Sequence, residues 1–108
     1  MIKAVHVLVS GQVQGVGYRQ GCRGTARKLD LVGWVRNLPD GRVEVFAQGG
    51  EDGVDRLLEW MWTGPSGARV VGVESDVVAT DVTLTDFFIQ PNVRRDDPPL
   101  TPRGPSAR

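Results

Sequence analysis

Alternating apolar and polar positions predict the strands of this chain. Over residues 4–10, Val5, Val7 and Val9 occupy every second position, as in a strand with one buried face. Further runs predict four more strands, over residues 31–37, 42–48, 70–78 and 87–90. The sequence Leu38-Pro39-Asp40-Gly41 has strong turn chemistry, so we expect the second and third strands to form an antiparallel hairpin.

Apolar residues at helical spacing predict two helices. The first carries its apolar residues at i, i+3, i+4 and i+7, namely Cys22, Thr25, Ala26 and Leu29. The second has the same kind of stripe, formed by Val54, Leu57, Leu58 and Met61. We expect Gly49-Gly50 to break the preceding strand, Asp52 to cap this helix and Gly64-Pro65 to end it.

The order of these elements predicts a single α/β (α+β) domain over residues 1–90. It reads β-α-β-β-α-β with a possible extra edge strand, which is typical of a ferredoxin-like two-layer sandwich. Right-handed crossovers would place both helices on one face of a mostly antiparallel sheet. Residues 91–108 hold five of the seven prolines and almost no apolar residues, so we expect a disordered Pro/Arg-rich tail there.

A glycine-rich loop, Gly11-Gln12-Val13-Gln14-Gly15-Val16-Gly17-Tyr18-Arg19, lies between the first strand and the first helix. Glycine allows a tight backbone turn and the close approach of a ligand. Backbone N–H groups that lead into a helix N-terminus have no acceptor within the helix, and the helix dipole favours negative charge there. The guanidinium of Arg19 adds a planar fork of donors that suits two phosphate oxygens. The loop therefore predicts a phosphate-binding site.

Asn37 ends the second strand, just before the hairpin turn. We expect the first helix to return the chain to a strand beside the first one, which would bring Asn37 to the mouth of the glycine loop. A side-chain amide there can hold a water or a substrate oxygen in one orientation, but it does not accept a proton at neutral pH.

Composition narrows the classes of partner. The chain has 108 residues with 13 basic and 13 acidic side chains, so its formal net charge is zero. It therefore has no overall electrostatic field that would favour binding to nucleic acid or to a membrane surface. No stretch approaches the length of a membrane helix, and the segment after Lys3 does not resemble a signal peptide. Cys22 is the only cysteine, so no intrachain disulfide is possible. We expect a cytoplasmic monomer that uses no cofactor and no metal.

The glycine loop and the segment Gly33-Trp34-Val35-Arg36-Asn37, with the DG turn and Val-Glu that follow, resemble acylphosphatase closely. The Gly-Pro-x-x-Ala-x-Val spacing at residues 64–70 adds to a resemblance that covers roughly residues 4–90. It implies that Arg19 and Asn37 are catalytic, Arg19 by binding phosphate and Asn37 by positioning the attacking water. It also implies phosphate binding by the backbone of the loop, that is, of Gln14, Gly15, Val16, Gly17, Tyr18 and Arg19. Tyr18 stands where phenylalanine is common, and Asp30 where the family usually has glycine.

The implied reaction is the hydrolysis of a small acyl phosphate to a carboxylate and inorganic phosphate. The conjugate acid of the leaving carboxylate has a pKa of about 4, so no general acid is needed. Phosphoryl transfer has a loose transition state, so positioning and electrostatic stabilisation supply most of the catalysis. A ring of amides with one arginine can provide both without a metal.

Other interpretations remain open beside this one. The same loop would suit a non-enzymatic ferredoxin-like module that binds an anion or a partner protein. The acylphosphatase-like domain of hydrogenase-maturation carbamoyltransferases ranks last, because that domain precedes a long additional chain. We expect His6 to lie on a sheet face and Cys22 to be a core residue rather than a nucleophile. At least one of Trp60 and Trp62 should pack at the edge of the core.

Overall fold

The computed structural model describes residues 1–93. These residues form five strands and two helices in the order β1 (Ile2–Gln12), α1 (Tyr18–Lys28), β2 (Val32–Asn37), β3 (Val43–Gly50), α2 (Glu51–Thr63), β4 (Arg69–Val78) and β5 (Phe87–Ile89). Most of the predicted tail, from residue 94 onward, lies outside the described residues. No helix in the described part is long and apolar enough to cross a membrane.

The strands form one sheet in the order β4-β1-β3-β2-β5, with both helices packed on it. All neighbouring strands are antiparallel except β2 and β5, which run parallel. The ferredoxin-like sandwich predicted from the sequence is confirmed, and β5 is the extra edge strand.

The core lies between the sheet and the helices. Val5, Val7 and Val9 of β1 are buried, as the alternation predicted. Buried side chains from the neighbouring strands and both helices complete it, among them Val43, Val45, Cys22, Leu57 and Met61. Because β1 and β2 both contribute side chains to this core, the ends of the two strands are held in place by it.

Two predictions about α2 and the strand before it are wrong. Gly49 and Gly50 do not break β3, because β1 begins at Ile2 and its first residues pair with both glycines. Gly50 is also the N-cap of α2, so Asp52 lies inside the first turn and does not cap the helix. The strand passes directly into the helix, and the Glu51 N–H donates to the Met1 carbonyl over 3.0 Å.

The expectation that β2 lies beside β1 is also wrong, because β3 lies between them. Both β1 and β2 are antiparallel to β3. They therefore run in the same direction, and their C-terminal ends lie at the same end of the sheet. Asn37, at the end of β2, therefore still lies at the end of the sheet from which the glycine loop leaves β1.

Candidate active site

The structure assigns the two ends of the glycine loop to β1 and α1 and leaves residues 13–17 between them. This segment has the backbone that an anion site needs. Gly15 (φ +74°) and Gly17 (φ +82°) are left-handed, and Gly17 is the N-cap of α1. A Cβ built at either position would meet no atom within 4 Å. The backbone angle rather than crowding therefore explains glycine here, since other residues are strained in this region.

The amides of this loop are free to bind a ligand. Among the described residues, the N–H groups of residues 14–20 donate to no backbone carbonyl, and the first helical bond runs from the Gly21 N–H to the Gly17 carbonyl. No side chain in the described part of the chain caps the helix N-terminus, and its first turn has no acidic residue. The unpaired donors and the positive end of the helix dipole together favour an anion.

Arg19 lies in the first turn of α1 and is partly exposed. Its Nη1 donates to Oδ1 of Asn92 over 2.9 Å, and no carboxylate in residues 1–93 forms an ion pair with it. A neutral acceptor orients the guanidinium without cancelling its charge. The positive charge of Arg19 is therefore available to a ligand held by the loop.

Asn37 is 6% exposed, and its Oδ1 is a buried acceptor with no donor among residues 1–93. Its backbone carbonyl accepts a hydrogen bond from the Val93 N–H over 3.0 Å. Residues 92 and 93 thus contact Arg19 and Asn37 in succession, which brings both predicted catalytic residues to one end of the sheet.

Gln14 joins the glycine loop to the turn after Asn37. Its Nε2 donates to the carbonyls of Leu38 and Arg42, each over 2.9 Å. Both N–H donors of this side chain are therefore used, which leaves only the backbone N–H of Gln14 for an anion.

The Tyr18 side chain belongs to the core rather than to the site. Its hydroxyl donates to the Met61 carbonyl over 2.7 Å, and its ring centroid lies 5.2 Å from that of Trp60. Burial raises the pKa of this phenol above its ordinary value. Only the backbone N–H of Tyr18 therefore remains for the predicted phosphate site, while its ring anchors the start of α1.

Other candidate side chains lie away from the loop. Nε2 of His6 donates to Glu44, which also accepts from Arg36, on the sheet face opposite the valines. Cys22 is fully buried, and this burial raises the pKa of its thiol to about 12, so it is a core residue as predicted. Within residues 1–93, no group of three potential metal ligands is brought together.

Two functional candidates were missed by the sequence analysis. Asn92 lies in the segment predicted as a tail, and its contact with Arg19 spans 73 residues of sequence. Gln14 was considered only for its backbone, and no role was predicted for its side chain. Neither residue carries a local pattern that marks its partner, because both contacts depend on the arrangement of the strands.

Comparison with known proteins places the chain in one family. The sequence model of the acylphosphatase family matches residues 5–89. An acylphosphatase of Methylococcus capsulatus is 50% identical over 88 residues, which cover 82% of this chain and 96% of that protein. A solved acylphosphatase from Coxiella burnetii has a TM-score of 0.79 at 40% identity and covers 82% of this chain and 93% of that one.

The structure of full-length HypF in its phosphate- and nucleotide-bound form shares the fold. It has a TM-score of 0.78 at 24% identity, covering 85% of this chain but 12% of that protein. At this identity the likeness concerns the fold alone.

Proposed function

The chain belongs to the acylphosphatase family, and on this premise we propose that its glycine loop, Arg19 and Asn37 hydrolyse an acyl phosphate to a carboxylate and inorganic phosphate. The observation that carries the proposal is the meeting of complementary groups at one end of the sheet. Within residues 1–93, backbone donors without a carbonyl acceptor, a guanidinium without a carboxylate partner and a buried amide oxygen without a donor lie there together.

The loop amides and Arg19 bind the phosphoryl group of the substrate. The N–H groups of residues 14–19, which donate to no backbone carbonyl within residues 1–93, lie before and in the first turn of α1, and the Arg19 guanidinium adds charge-assisted hydrogen bonds. In a loose transition state, negative charge is spread over the three equatorial oxygens, and fixed donors stabilise it without reorganising. These groups therefore serve both substrate binding and catalysis.

Asn37 orients the attacking water. Its Oδ1 accepts a hydrogen bond from that water, which fixes the direction of one O–H bond and turns an oxygen lone pair towards phosphorus. The buried, unpartnered state of this oxygen supports the role, because a buried acceptor without a donor costs about 1–3 kcal/mol in the free protein.

The chemical step needs no proton donor from the protein. The bond from water oxygen to phosphorus forms while the bond from phosphorus to the acyl oxygen breaks, and the electron pair leaves with the carboxylate. Since the conjugate acid of that group has a pKa of about 4, it departs as an anion at neutral pH. The proton of the attacking water passes to a phosphate oxygen of the substrate.

We further propose that the protein acts as a cytoplasmic monomer without a nucleic-acid partner. The single cysteine is buried, so an intermolecular disulfide would require unfolding. The balance of 13 basic and 13 acidic side chains supplies no field for a polyanion.

Hydrolysis of benzoyl phosphate tests the assigned roles. Arg19→Ala should abolish both turnover and the binding of inorganic phosphate, whereas Asn37→Ala should remove turnover and leave the dissociation constant of phosphate, measured by titration calorimetry, nearly unchanged. Arg56→Ala is the matched control, because Arg56 is exposed on α2 and forms no ion pair within residues 1–93.

Two results would overturn the proposal. Strong residual turnover in Asn37→Ala would remove that residue from the reaction. Phosphate binding by wild-type protein that has no turnover at micromolar concentration would instead favour the anion-binding module.

A further inference from the structure

The side chain of Gln14 connects the two halves of the site. Its Nε2 donates one hydrogen bond to the Leu38 carbonyl and one to the Arg42 carbonyl, both over 2.9 Å. A primary amide has two N–H donors, so both are used on this one turn. The two carbonyls flank the hairpin turn that begins directly after Asn37.

No other hydrogen bond within residues 1–93 joins the loop, residues 13–17, to the segment 37–42. Val13, which precedes Gln14, is buried in the core, so the start of the loop is also held by apolar packing. β3 separates the strands that carry the two segments, and the sheet therefore does not tie them to each other directly. Gln14 is the direct polar link between the phosphate-binding backbone and the turn beside Asn37.

We infer that Gln14 is a positioning residue whose side chain sets the spacing between the phosphate-binding loop and Asn37. The inference rests on the proposed function, because it assigns a purpose to the distance between those two groups. An in-line attack requires the water to lie opposite the leaving oxygen, and a displacement of about 1 Å costs about a hundredfold in rate. Gln14 contacts neither the water nor the phosphate with its side chain and acts through the turn.

This role separates turnover from phosphate affinity. The phosphate is bound by the loop and Arg19, so loss of the Gln14 side chain should leave phosphate affinity intact. The attacking water depends on the loop and Asn37 together, so turnover should fall. A residue that only shaped the loop would change both quantities.

Gln14→Met tests this separation, since methionine is similar in length and lacks both donors. The turn should survive the change, because the Leu38 carbonyl also accepts from the Gly41 N–H and the Arg42 carbonyl also accepts from the Leu38 N–H. We expect kcat for benzoyl phosphate to fall about ten- to a hundredfold, with the inhibition constant for inorganic phosphate within about twofold of wild type.

Gln12→Met is the matched control. Gln12 is exposed at the end of β1, and its side chain has no hydrogen bond within residues 1–93, so its kcat should equal that of wild type. Gln14→Asn, which keeps the amide but is one methylene shorter, replaces Gln14→Met if the latter does not fold. It should show the same loss of kcat with unchanged phosphate inhibition.

An unchanged kcat in folded Gln14→Met would overturn the inference. So would a fall in kcat that is matched by an equal rise in the inhibition constant, because Gln14 would then shape the loop itself. Failure of the proposed function has a different signature, namely no turnover in wild type or full turnover in Asn37→Ala.

Discussion

Asn37 has a polar atom that the fold does not use. Its Oδ1 is buried and accepts no hydrogen bond from residues 1–93, although most buried acceptors in proteins have a donor. An apolar side chain at the end of β2 would avoid this cost. The amide is therefore best explained by a ligand, which in our proposal is the attacking water.

Asn92 should matter for phosphate affinity because it orients Arg19. Removing its side chain in Asn92→Ala frees the guanidinium to sample other rotamers, so its pre-organisation for phosphate is lost. We expect the inhibition constant for phosphate to rise about three- to tenfold, which corresponds to the usual net strength of one hydrogen bond in a protein. Inhibition of benzoyl phosphate hydrolysis measures it.

The variant Asn92→Asp provides the contrast. A carboxylate at this position would form an ion pair with Arg19 and compete with phosphate for its charge. Phosphate should then bind more weakly than to Asn92→Ala. Equal or tighter binding by Asn92→Asp would show that the contact does not control the charge of Arg19.

The sequence allowed some of these residues to be predicted and not others. Arg19 and Asn37 stand within recognisable motifs, and the structure brings both to the same end of the sheet. Asn92 follows β5 and reaches Arg19 only because β5 pairs with β2 at the edge of the sheet. A contact that depends on such a pairing has no local signal in the chain.

Helix α1 contains two glycines with opposite surroundings. A Cβ at Gly24 would meet nothing within 4 Å, whereas a Cβ at Gly21 would lie 2.8 Å from the Trp60 ring. Glycine inside a helix costs about 1 kcal/mol relative to alanine. Only Gly21 has a packing reason for this cost.

Gly24→Ala should therefore stabilise the protein by about 0.5–1 kcal/mol, because it lowers the backbone entropy of the unfolded chain and the added Cβ meets no atom in the native structure. Gly21→Ala should stabilise the protein less than Gly24→Ala, or should destabilise it, because the Trp60 ring must move to make room for the added Cβ. Urea unfolding of both variants measures the difference, and the kcat of Gly24→Ala serves as a control that should not change. A larger gain at Gly21 than at Gly24 would contradict this account of the helix.

A buried charged network joins β1, β2 and β3 on the sheet face away from the core valines. The Glu44 carboxylate accepts from His6 over 2.7 Å and from Arg36 over 2.6 Å, and Arg36 lies 4.8 Å from the Trp34 ring centroid. Burial by itself would raise the pKa of Glu44, but the hydrogen bonds from His6 and Arg36 and their charges hold it below its ordinary value of 4.5. Because Arg36 precedes Asn37 in β2, the network also fixes the strand that carries the site.

This network should make stability depend on pH in the acid range. Glu44 has a lower pKa in the native than in the unfolded state, so its contribution is complete above the ordinary value of 4.5 that the unfolded chain has. The contribution is lost as the pH falls through the native pKa, because the unfolded state takes up the proton first.

Glu44→Gln should therefore lower the free energy of unfolding by about 3 kcal/mol at pH 7, where it leaves the Arg36 charge unpaired. The difference from wild type should shrink at pH 3, as urea unfolding at both values would measure. Glu59→Gln, at an exposed position of α2, is the control with no such change. A difference for Glu44→Gln that is the same at both pH values would contradict the assignment.

Period-two alternation in β1 and β3, with apolar runs elsewhere, sufficed to predict the existence of the strands, while their ends and order depended on long-range pairing. β3 continues through Gly49 and Gly50 because Ile2 and Lys3 offer backbone partners that no local rule reveals. The position of β3 between β1 and β2 likewise follows from how the hairpin docks on β1. Hydrophobic pattern selects which face is buried, but not which edge a strand joins.

For the whole molecule, ligand binding and folding are linked through the loop. The backbone of the loop is held in place by the packing of β1 and α1, so the unfolded chain has no counterpart of the proposed phosphate site. A ligand that binds only the native state stabilises it by RT ln(1 + [L]/Kd). Phosphate should therefore raise the unfolding temperature of the protein.

At a phosphate concentration ten times Kd, the expected stabilisation is about 1.4 kcal/mol, or roughly 5–10 °C for a domain of this size. Phosphate also stabilises many proteins weakly by exclusion from their surface, and this effect does not need the site. Arg19→Ala separates the two contributions, because it removes the guanidinium while leaving the exposed surface almost unchanged. Thermal unfolding of both proteins in matched phosphate and chloride buffers should show the large shift in wild type alone. An equal shift in Arg19→Ala would mean that Arg19 does not bind the anion, and the phosphate would then be held by the loop amides without it or not at this site.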